Sequence, residues 1–250
     1  MDLIELTKEI EDLIRDEILS NTTYDWREEH IVRCILRRLR NLINDKTIDD
    51  SYQIYNLRFN VFQTDKTNNT EEKFGDIAII MSIEFNDSDI IEGVGFIEAK
   101  IRAKKSNRYA SIRKKQLSRI NKNAPHSLLM LIDYDPINKK IPVFGQERHF
   151  HYYGHWPSHS VVTQINTALK IDKSDTSLYK LTYPFSYQLT HRYFYGLDLE
   201  FNYKIIQQIK GFAEKKELPD FAVFITIDPK DKKDVSKEVK INREIYKELK

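Results

Sequence analysis

The sequence predicts an α/β protein in which a mixed β-sheet is flanked by helices. Residues 2–19 and 25–44 carry apolar side chains at helical spacing, with charged residues between them. Three further runs have the composition of strands: 77–85 and 91–101 are rich in β-branched and aromatic residues, and 127–133 is a short apolar run. The third run is apolar almost throughout, which favours a strand that is buried on both faces and lies parallel to its neighbour.

The length of the chain allows one large globular domain, or a core with a small appendage. Of the 250 residues, 40% are apolar and 12% are aromatic, which is enough for a sizeable core, and the net charge is only +2. No apolar stretch is long enough to span a membrane, and the acidic N-terminal segment does not resemble a secretory signal. The single cysteine, Cys34, cannot form an internal disulfide, so we expect a cytoplasmic protein.

Three segments of this domain are expected. Residues 1–22 form a helix that packs on the core or serves oligomerisation, residues 23–135 form the core, and residues 136–250 extend it. The elements expected within the core are the helix 25–44, a strand at 52–63, the strands 77–85 and 91–101, a helix at 107–121 and the strand 127–133.

The extension has a weaker pattern. Residues 144–160 are rich in histidine and aromatic side chains, which predicts a loop that packs these rings on the core or stacks them on bases. The further elements expected are helices at 161–171, 203–215 and 236–249, and a buried strand at 221–227.

The chemistry is expected at the hairpin formed by the strands 77–85 and 91–101. Asp76 immediately precedes the first strand, and Glu98 and Lys100 lie near the end of the second. Glu98 and Lys100 share a face because side chains alternate along a strand. In one set of registers Asp76 lies beside them, whereas a slip by one residue turns Asp76 to the other face, and the sequence allows both.

The first set of registers gathers two carboxylates and an ammonium group at the end of the sheet. Carboxylate oxygens suit Mg²⁺, which is commonly bound by one or two carboxylates and several waters. A neighbouring lysine orients a water or neutralises charge that develops on a phosphate. The alternative is that the three charged side chains merely pack at the end of the sheet. Asp198 and Glu200 form a rival acid pair that has no lysine at a matching spacing.

A basic stretch follows the expected site directly. Residues 101–122 contain nine lysines and arginines and no aspartate or glutamate. Because the whole chain is nearly neutral, this positive field is local, which is typical of a surface that binds a polyanion. A solvated helix face is the alternative. The nucleic-acid contacts expected from this stretch are Arg102, Lys104, Lys105, Arg108, Arg113, Lys115 and Arg119.

Asp76 followed by Glu98-x-Lys100 resembles the active-site signature of the PD-(D/E)XK nuclease superfamily, which includes many restriction endonucleases. The signature usually has proline before the aspartate, where this chain has Gly75. The resemblance covers about residues 25–135 and implies a restriction-endonuclease-like core with C-terminal elaborations. It also implies that Mg²⁺ or Mn²⁺ is bound by Asp76, Glu98 and the backbone carbonyl of Ala99.

The resemblance points to two further residues. Relatives often carry a glutamate that reaches toward the metal from the preceding helix. Glu28 falls inside the apolar stripe of the helix 25–44, so it is preferred to Glu29 as a fourth acid, although a position at the helix start would also favour a glutamate. Some relatives place a glutamine on the helix after the Glu-x-Lys strand, which corresponds to Gln116, and a half-buried surface residue is the alternative there.

The expected function is therefore a nuclease that hydrolyses phosphodiester bonds in DNA, with RNA as the alternative substrate. It would act in restriction, phage defence or repair, alone, as a homo-oligomer or with a protein partner. Two other functions stay open on the same fold: a non-catalytic nucleic-acid binder, and an interaction subunit that docks a partner through its outer helices. Motifs for nucleotide cradling, acyl transfer and zinc proteolysis do not occur in the sequence.

Overall fold

The computed structural model describes residues 1–49, 54–64, 73–84, 90–124, 126–144, 151–213, 217–229 and 239–249, with only the backbone of 140–144 and 151–156. The α-helices are α1 (Leu3–Thr22), α2 (Glu28–Ile43), α3 (Lys114–Asn123), α4 (Ile165–Ile171), α5 (Phe185–Tyr187) and α6 (Tyr203–Ile209). The strands are β1 (Thr47–Asp49), β2 (Ile54–Thr64), β3 (Ile77–Glu84), β4 (Ile90–Ile101), β5 (Leu128–Phe144), β6 (His151–Gln164), β7 (Tyr183–Pro184), β8 (Phe221–Pro229) and β9 (Tyr246–Glu248).

One mixed sheet contains all of these strands, which confirms the predicted α/β class. Their order is β1-β2-β8-β3-β4-β5-β6-β7, with β9 also beside β2. β3 and β4 form the predicted antiparallel hairpin, and β5 lies parallel to β4 as predicted. β8 lies parallel to β3 and antiparallel to β2, so it separates two strands that follow each other along the chain.

Helices cover both faces of the sheet. The apolar stripe of α1 is completely buried by the rest of the chain and consists of Leu6, Ile10, Ile14 and Ile18. These residues share one core cluster with α2 and with alternate residues of β3. α6 packs with the opposite face of β3, and α3 and α4 pack against β5. No helix in the described ranges is both long enough and apolar enough to cross a bilayer.

The helix predicted at 107–121 begins later than the sequence indicated. Its first helical residue is Lys114, because the backbone before it pairs elsewhere: the Tyr109 N–H donates to the carbonyl oxygen of Ser174 at 2.8 Å. Lys105 adopts a φ of 58°, which is not helical. The first half of the basic stretch is therefore a loop, and only its second half lies on a helix.

The prediction of a loop at 144–160 is wrong for the residues that the structure describes. Residues 151–164 form β6, which pairs with β5 on both sides of an irregularity between Ile132 and Ile137. Residues 145–150 lie outside the described ranges. The helix predicted at 161–171 starts only at Ile165, because its first four residues continue the strand. The histidine- and aromatic-rich composition that indicated a loop is also compatible with a strand, because aromatic side chains are enriched in strands.

The C-terminal helix predicted at 236–249 is also wrong over the described residues 239–249. A turn at 243–245 leads into β9, which pairs with the end of β2. Tyr246 is buried, and its hydroxyl donates to the carbonyl oxygen of Ile209 at 2.6 Å. Burial of this single aromatic side chain outweighs the helical propensity of the charged residues around it. The helix expected at 203–215 is shorter as well, since α6 ends at Ile209.

Candidate active site

Asp76 is positioned by the close approach of two strands at the end of the β3–β4 hairpin. Ile77 pairs with Ile97, which is the register that turns Asp76 toward the end of β4. The backbone N–H of Asp76 donates to the carbonyl oxygen of Ile97 at 3.0 Å. Gly75 precedes it with a φ of +81°, and a Cβ there would lie 2.8 Å from the same oxygen. Only glycine fits this position without strain.

The ammonium group of Lys100 lies at the centre of an acidic cluster. Its Nζ is 2.6 Å from Oε1 of Glu98, 2.9 Å from Oε1 of Glu28 and 3.9 Å from Oδ2 of Asp76. It also donates to the carbonyl oxygen of Ala99 at 2.6 Å. The backbone N–H of Ala99 donates to Oδ2 of Asp76, again at 2.6 Å. Glu28, Asp76, Glu98 and Lys100, all singled out from the sequence, therefore meet at the end of one strand pair.

The acidic cluster is poorly accessible to water. Glu98 is 0% and Lys100 is 3% exposed, and a buried charge is costly unless it is paired. Burial raises the pKa of Asp76 well above its usual range, and the neighbouring Glu98 raises it further. Burial alone would lower the pKa of Lys100, but the three surrounding carboxylates outweigh it, so this pKa is raised. The cluster therefore stabilises a cation in its midst.

Glu28 reaches the acidic cluster as the first residue of α2. Its Oε1 faces Lys100, and its Oε2 accepts a hydrogen bond from the hydroxyl of Ser111 at 3.3 Å. Glu29 turns away and pairs with Arg33 at 2.6 Å. Of the two glutamates, the structure thus brings the preferred one to the site. Nothing in the sequence marks Ser111, since one serine in a basic loop has no informative spacing.

Gln116 lies in the first turn of α3 and is half-buried. Over the described part of the chain, no hydrogen bond joins its side chain to the acidic cluster.

Six of the seven basic residues predicted to contact nucleic acid are exposed: Lys104, Lys105, Arg108, Arg113, Lys115 and Arg119. Lys104, Lys105 and Arg108 lie in the loop between β4 and α3, and the hydroxyl of Ser111 in this loop contacts Glu28, so the loop part of the cationic surface adjoins the acidic cluster.

Arg102, the seventh predicted contact, is held inside the fold. Its Nε lies 2.8 Å from a carboxylate oxygen of Asp133, and its guanidinium also pairs with Asp135. The guanidinium carbon lies 4.1 Å from the ring centroid of Tyr134. With a side chain that is only 11% exposed, this residue is not offered to a phosphate. Its acidic partners lie on β5, about thirty residues away along the chain, so the local charge pattern could not reveal them.

The rival acid pair has a structural explanation. Arg192 donates to both carboxylate oxygens of Asp198, at 2.5 and 2.9 Å. Oε1 of Glu200 accepts a hydrogen bond from the backbone N–H of Asn202 at 2.7 Å, and the backbone of Glu200 pairs with that of Val94 in β4. These contacts account for both acids without a ligand.

The acidic cluster offers a small set of oxygen ligands. No group of three or more His, Cys, Asp or Glu side chains arranged to hold a metal ion occurs within the described residues. Two carboxylates and one carbonyl oxygen, from Asp76, Glu98 and Ala99, nevertheless suit Mg²⁺, which keeps several of its waters.

Comparison of the chain with protein-family models, curated proteins and solved structures gave no match. Function must therefore be inferred from the geometry of this cluster.

Proposed function

We propose that this protein is a Mg²⁺- or Mn²⁺-dependent nuclease that hydrolyses phosphodiester bonds, with DNA as its substrate. The observation that carries the proposal is the convergence of Asp76, Glu98 and Lys100 at the end of adjacent strands, with Glu28 beside them. Buried acids that surround a cation are expensive to keep for packing alone, and functional sites are where such groups collect. The resemblance to the PD-(D/E)XK signature supports the same function.

Asp76, Glu98 and the carbonyl oxygen of Ala99 would hold the metal, and Glu28 would complete a second site. When bound, the ion polarises the phosphate and lowers the pKa of an attacking water. Lys100 is held as an ammonium by the carboxylates around it. From this position it would orient the water or neutralise the charge that develops on the phosphate.

The exposed cationic surface next to the cluster would place the substrate. Its loop residues, Lys104, Lys105 and Arg108, follow β4, and Arg113, Lys115 and Arg119 lie at or on α3. Contacts from lysine and arginine to phosphates position a duplex without reading its sequence. Such binding weakens steeply as salt concentration rises, because counterions are released on association.

Cleavage of supercoiled plasmid in the presence of Mg²⁺ tests the proposal. Lys100→Met keeps the apolar stem and removes the ammonium, and we expect at least about a 100-fold loss of rate. The control is Lys210→Met, because Lys210 is a second buried lysine, at the end of α6, whose partner Glu92 at 2.6 Å lies near the other end of β4 from Glu98. Equal cleavage by the two variants, or cleavage that EDTA does not suppress, would contradict the mechanism.

A non-catalytic nucleic-acid binder is the second candidate. It is favoured by the ion pairs of Lys100, which satisfy the acids without a metal. This candidate predicts salt-sensitive DNA binding without cleavage at any Mg²⁺ or Mn²⁺ concentration. An interaction subunit, in contrast, predicts weak DNA binding that salt hardly changes.

A further inference from the structure

Trp26 adjoins the acidic cluster without belonging to it. Its indole N–H donates a hydrogen bond of 2.8 Å to the carbonyl oxygen of Arg102, which lies two residues beyond Lys100. Along the chain, Trp26 stands two residues before Glu28. The hydrogen bond therefore joins the start of α2 to the end of β4, and these are the two elements that supply Glu28 and Lys100.

Ring contacts fix the indole at this junction. The centroid of the Trp26 ring lies 5.6 Å from that of Tyr134, in an edge-to-face arrangement at 73°. Tyr134 also contacts the guanidinium of Arg102, which is in turn paired with Asp133. Segments from α2, β4 and β5 thus meet in one set of aromatic, cation–π and ionic contacts.

The first turn of α2 is restrained by the contacts of Glu28 with Lys100 and Ser111, but it has no side-chain cap. Its N-cap residue, Arg27, makes no side-chain capping hydrogen bond, so the first N–H groups of the helix lack the usual acceptor. Glu28 lies in this first turn, and 28% of its side chain is exposed. Trp26 ties this uncapped turn to the strand that carries Lys100.

We propose that Trp26 is a positioning residue for the nuclease reaction, which holds the carboxylate of Glu28 at 2.9 Å from Lys100. This inference rests on the proposed function and adds to it a residue that touches neither metal nor substrate. Small displacements of a catalytic group are costly, so loss of the anchor lowers the rate even where the fold persists. The competing explanation is that the indole contributes only to stability.

Trp26→Phe in the full-length protein separates these explanations. The phenylalanine ring keeps the apolar contact with Tyr134 and loses the N–H donor. We expect about a tenfold lower rate of plasmid cleavage at saturating Mg²⁺ and weaker Mg²⁺ binding by calorimetry, with a melting temperature close to that of the wild type. Tyr24→Phe is the control, because Tyr24 is 89% exposed just before the same helix, and it should change none of these values.

A double-mutant cycle gives the decisive readout. In a Glu28→Gln background, Trp26→Phe should cause no further loss, because the tryptophan acts through that glutamate. The same fold loss in both backgrounds, no loss in either, or a loss that follows the melting temperature would overturn this inference alone. A wild-type protein that neither binds Mg²⁺ nor cleaves DNA would overturn the proposed function and this inference with it.

Discussion

At the scale of single residues, Gly75 decides whether Asp76 can approach β4. Its φ of +81° and its 2.8 Å Cβ approach to the Ile97 oxygen exclude any other side chain. Gly75→Ala is therefore expected to destabilise the protein by about 2 kcal/mol and to lower cleavage more than stability alone explains, since Asp76 is displaced. Denaturant unfolding and plasmid cleavage measure the two effects.

Gly196→Ala is the matched control for this substitution. Gly196 has a similar φ of +72°, but the nearest atom to an added Cβ is 4.0 Å away. It lies beside Ile83, at the opposite end of β3 from Asp76. Both variants share the backbone strain, so a difference in cleavage reports the close approach at Gly75. Equal cleavage by the two would contradict the role given to that approach.

Asp76, Glu98 and Lys100 could be found from the sequence because strand alternation and hairpin geometry are local rules, whereas Glu28 was preferred on its place in a helical stripe and on the family resemblance. The local rules placed Glu98 and Lys100 on one face and left only the register of Asp76 open. The backbone approach that settles this register depends on Gly75. Ser111 and Trp26 could not be found, because each acts through a contact with a residue distant along the chain.

At the scale of elements, α1 is held against the sheet by a buried acid. Glu11 is 5% exposed, and its Oε1 accepts hydrogen bonds from Ser186 at 2.6 Å and from Ser158 at 3.2 Å. Among the described residues, its Oε2 has no hydrogen-bond partner. Burial raises the pKa of Glu11 to about 7, more than the two serine hydroxyls lower it. The folded protein therefore favours the neutral acid.

Stability should consequently fall as pH rises through about 7. The pKa of Glu11 in the folded protein lies above its unfolded value of 4.5. The stabilising contribution of the neutral acid is therefore complete below pH 4.5 and is lost once the pH exceeds the folded pKa. The difference corresponds to about 3 kcal/mol in the free energy of unfolding. Glu11→Gln removes this dependence, and chemical denaturation between about pH 4 and 8 measures it. The exposed Glu5→Gln on the same helix is the control, and a wild-type pH profile equal to that of Glu11→Gln would contradict the assignment.

The observed bounds of helices and strands agree with the predicted ones where the apolar periodicity is strong. They differ where a contact with a residue distant along the chain determines the local structure. α1, α2 and the hairpin match their predicted positions closely. The sequence predicts a helix for the residues before α3, but the backbone N–H of Tyr109 donates to the carbonyl oxygen of Ser174, so these residues form a loop. The sequence also predicts a helix for the C-terminal residues, but with Tyr246 buried they form the edge strand β9. Both departures depend on contacts that no local pattern contains.

At the scale of the whole molecule, β8 links the two halves of the sheet. Its composition identified it as a buried strand, but nothing in the sequence showed that it lies between β2 and β3. Each of these strands pairs with β8 along most of its length, and within the described residues they do not pair with each other. The strand that carries Asp76 at its start is therefore supported by a segment about 140 residues further along the chain.

A fragment of residues 23–135, which spans the resemblance to the nuclease signature, is accordingly expected not to fold. Without β8, the apolar edges of β2 and β3 lose their partner, and the unpaired backbone groups of two buried strands are left without hydrogen bonds. Circular dichroism and amide NMR dispersion measure the outcome. A second fragment, 1–229, keeps β8 and should retain the sheet at lower stability, because only the edge strand β9 and its surroundings are removed. A folded 23–135 fragment that cleaves DNA with Mg²⁺ would show that β8 is dispensable and that the acidic cluster is assembled without it.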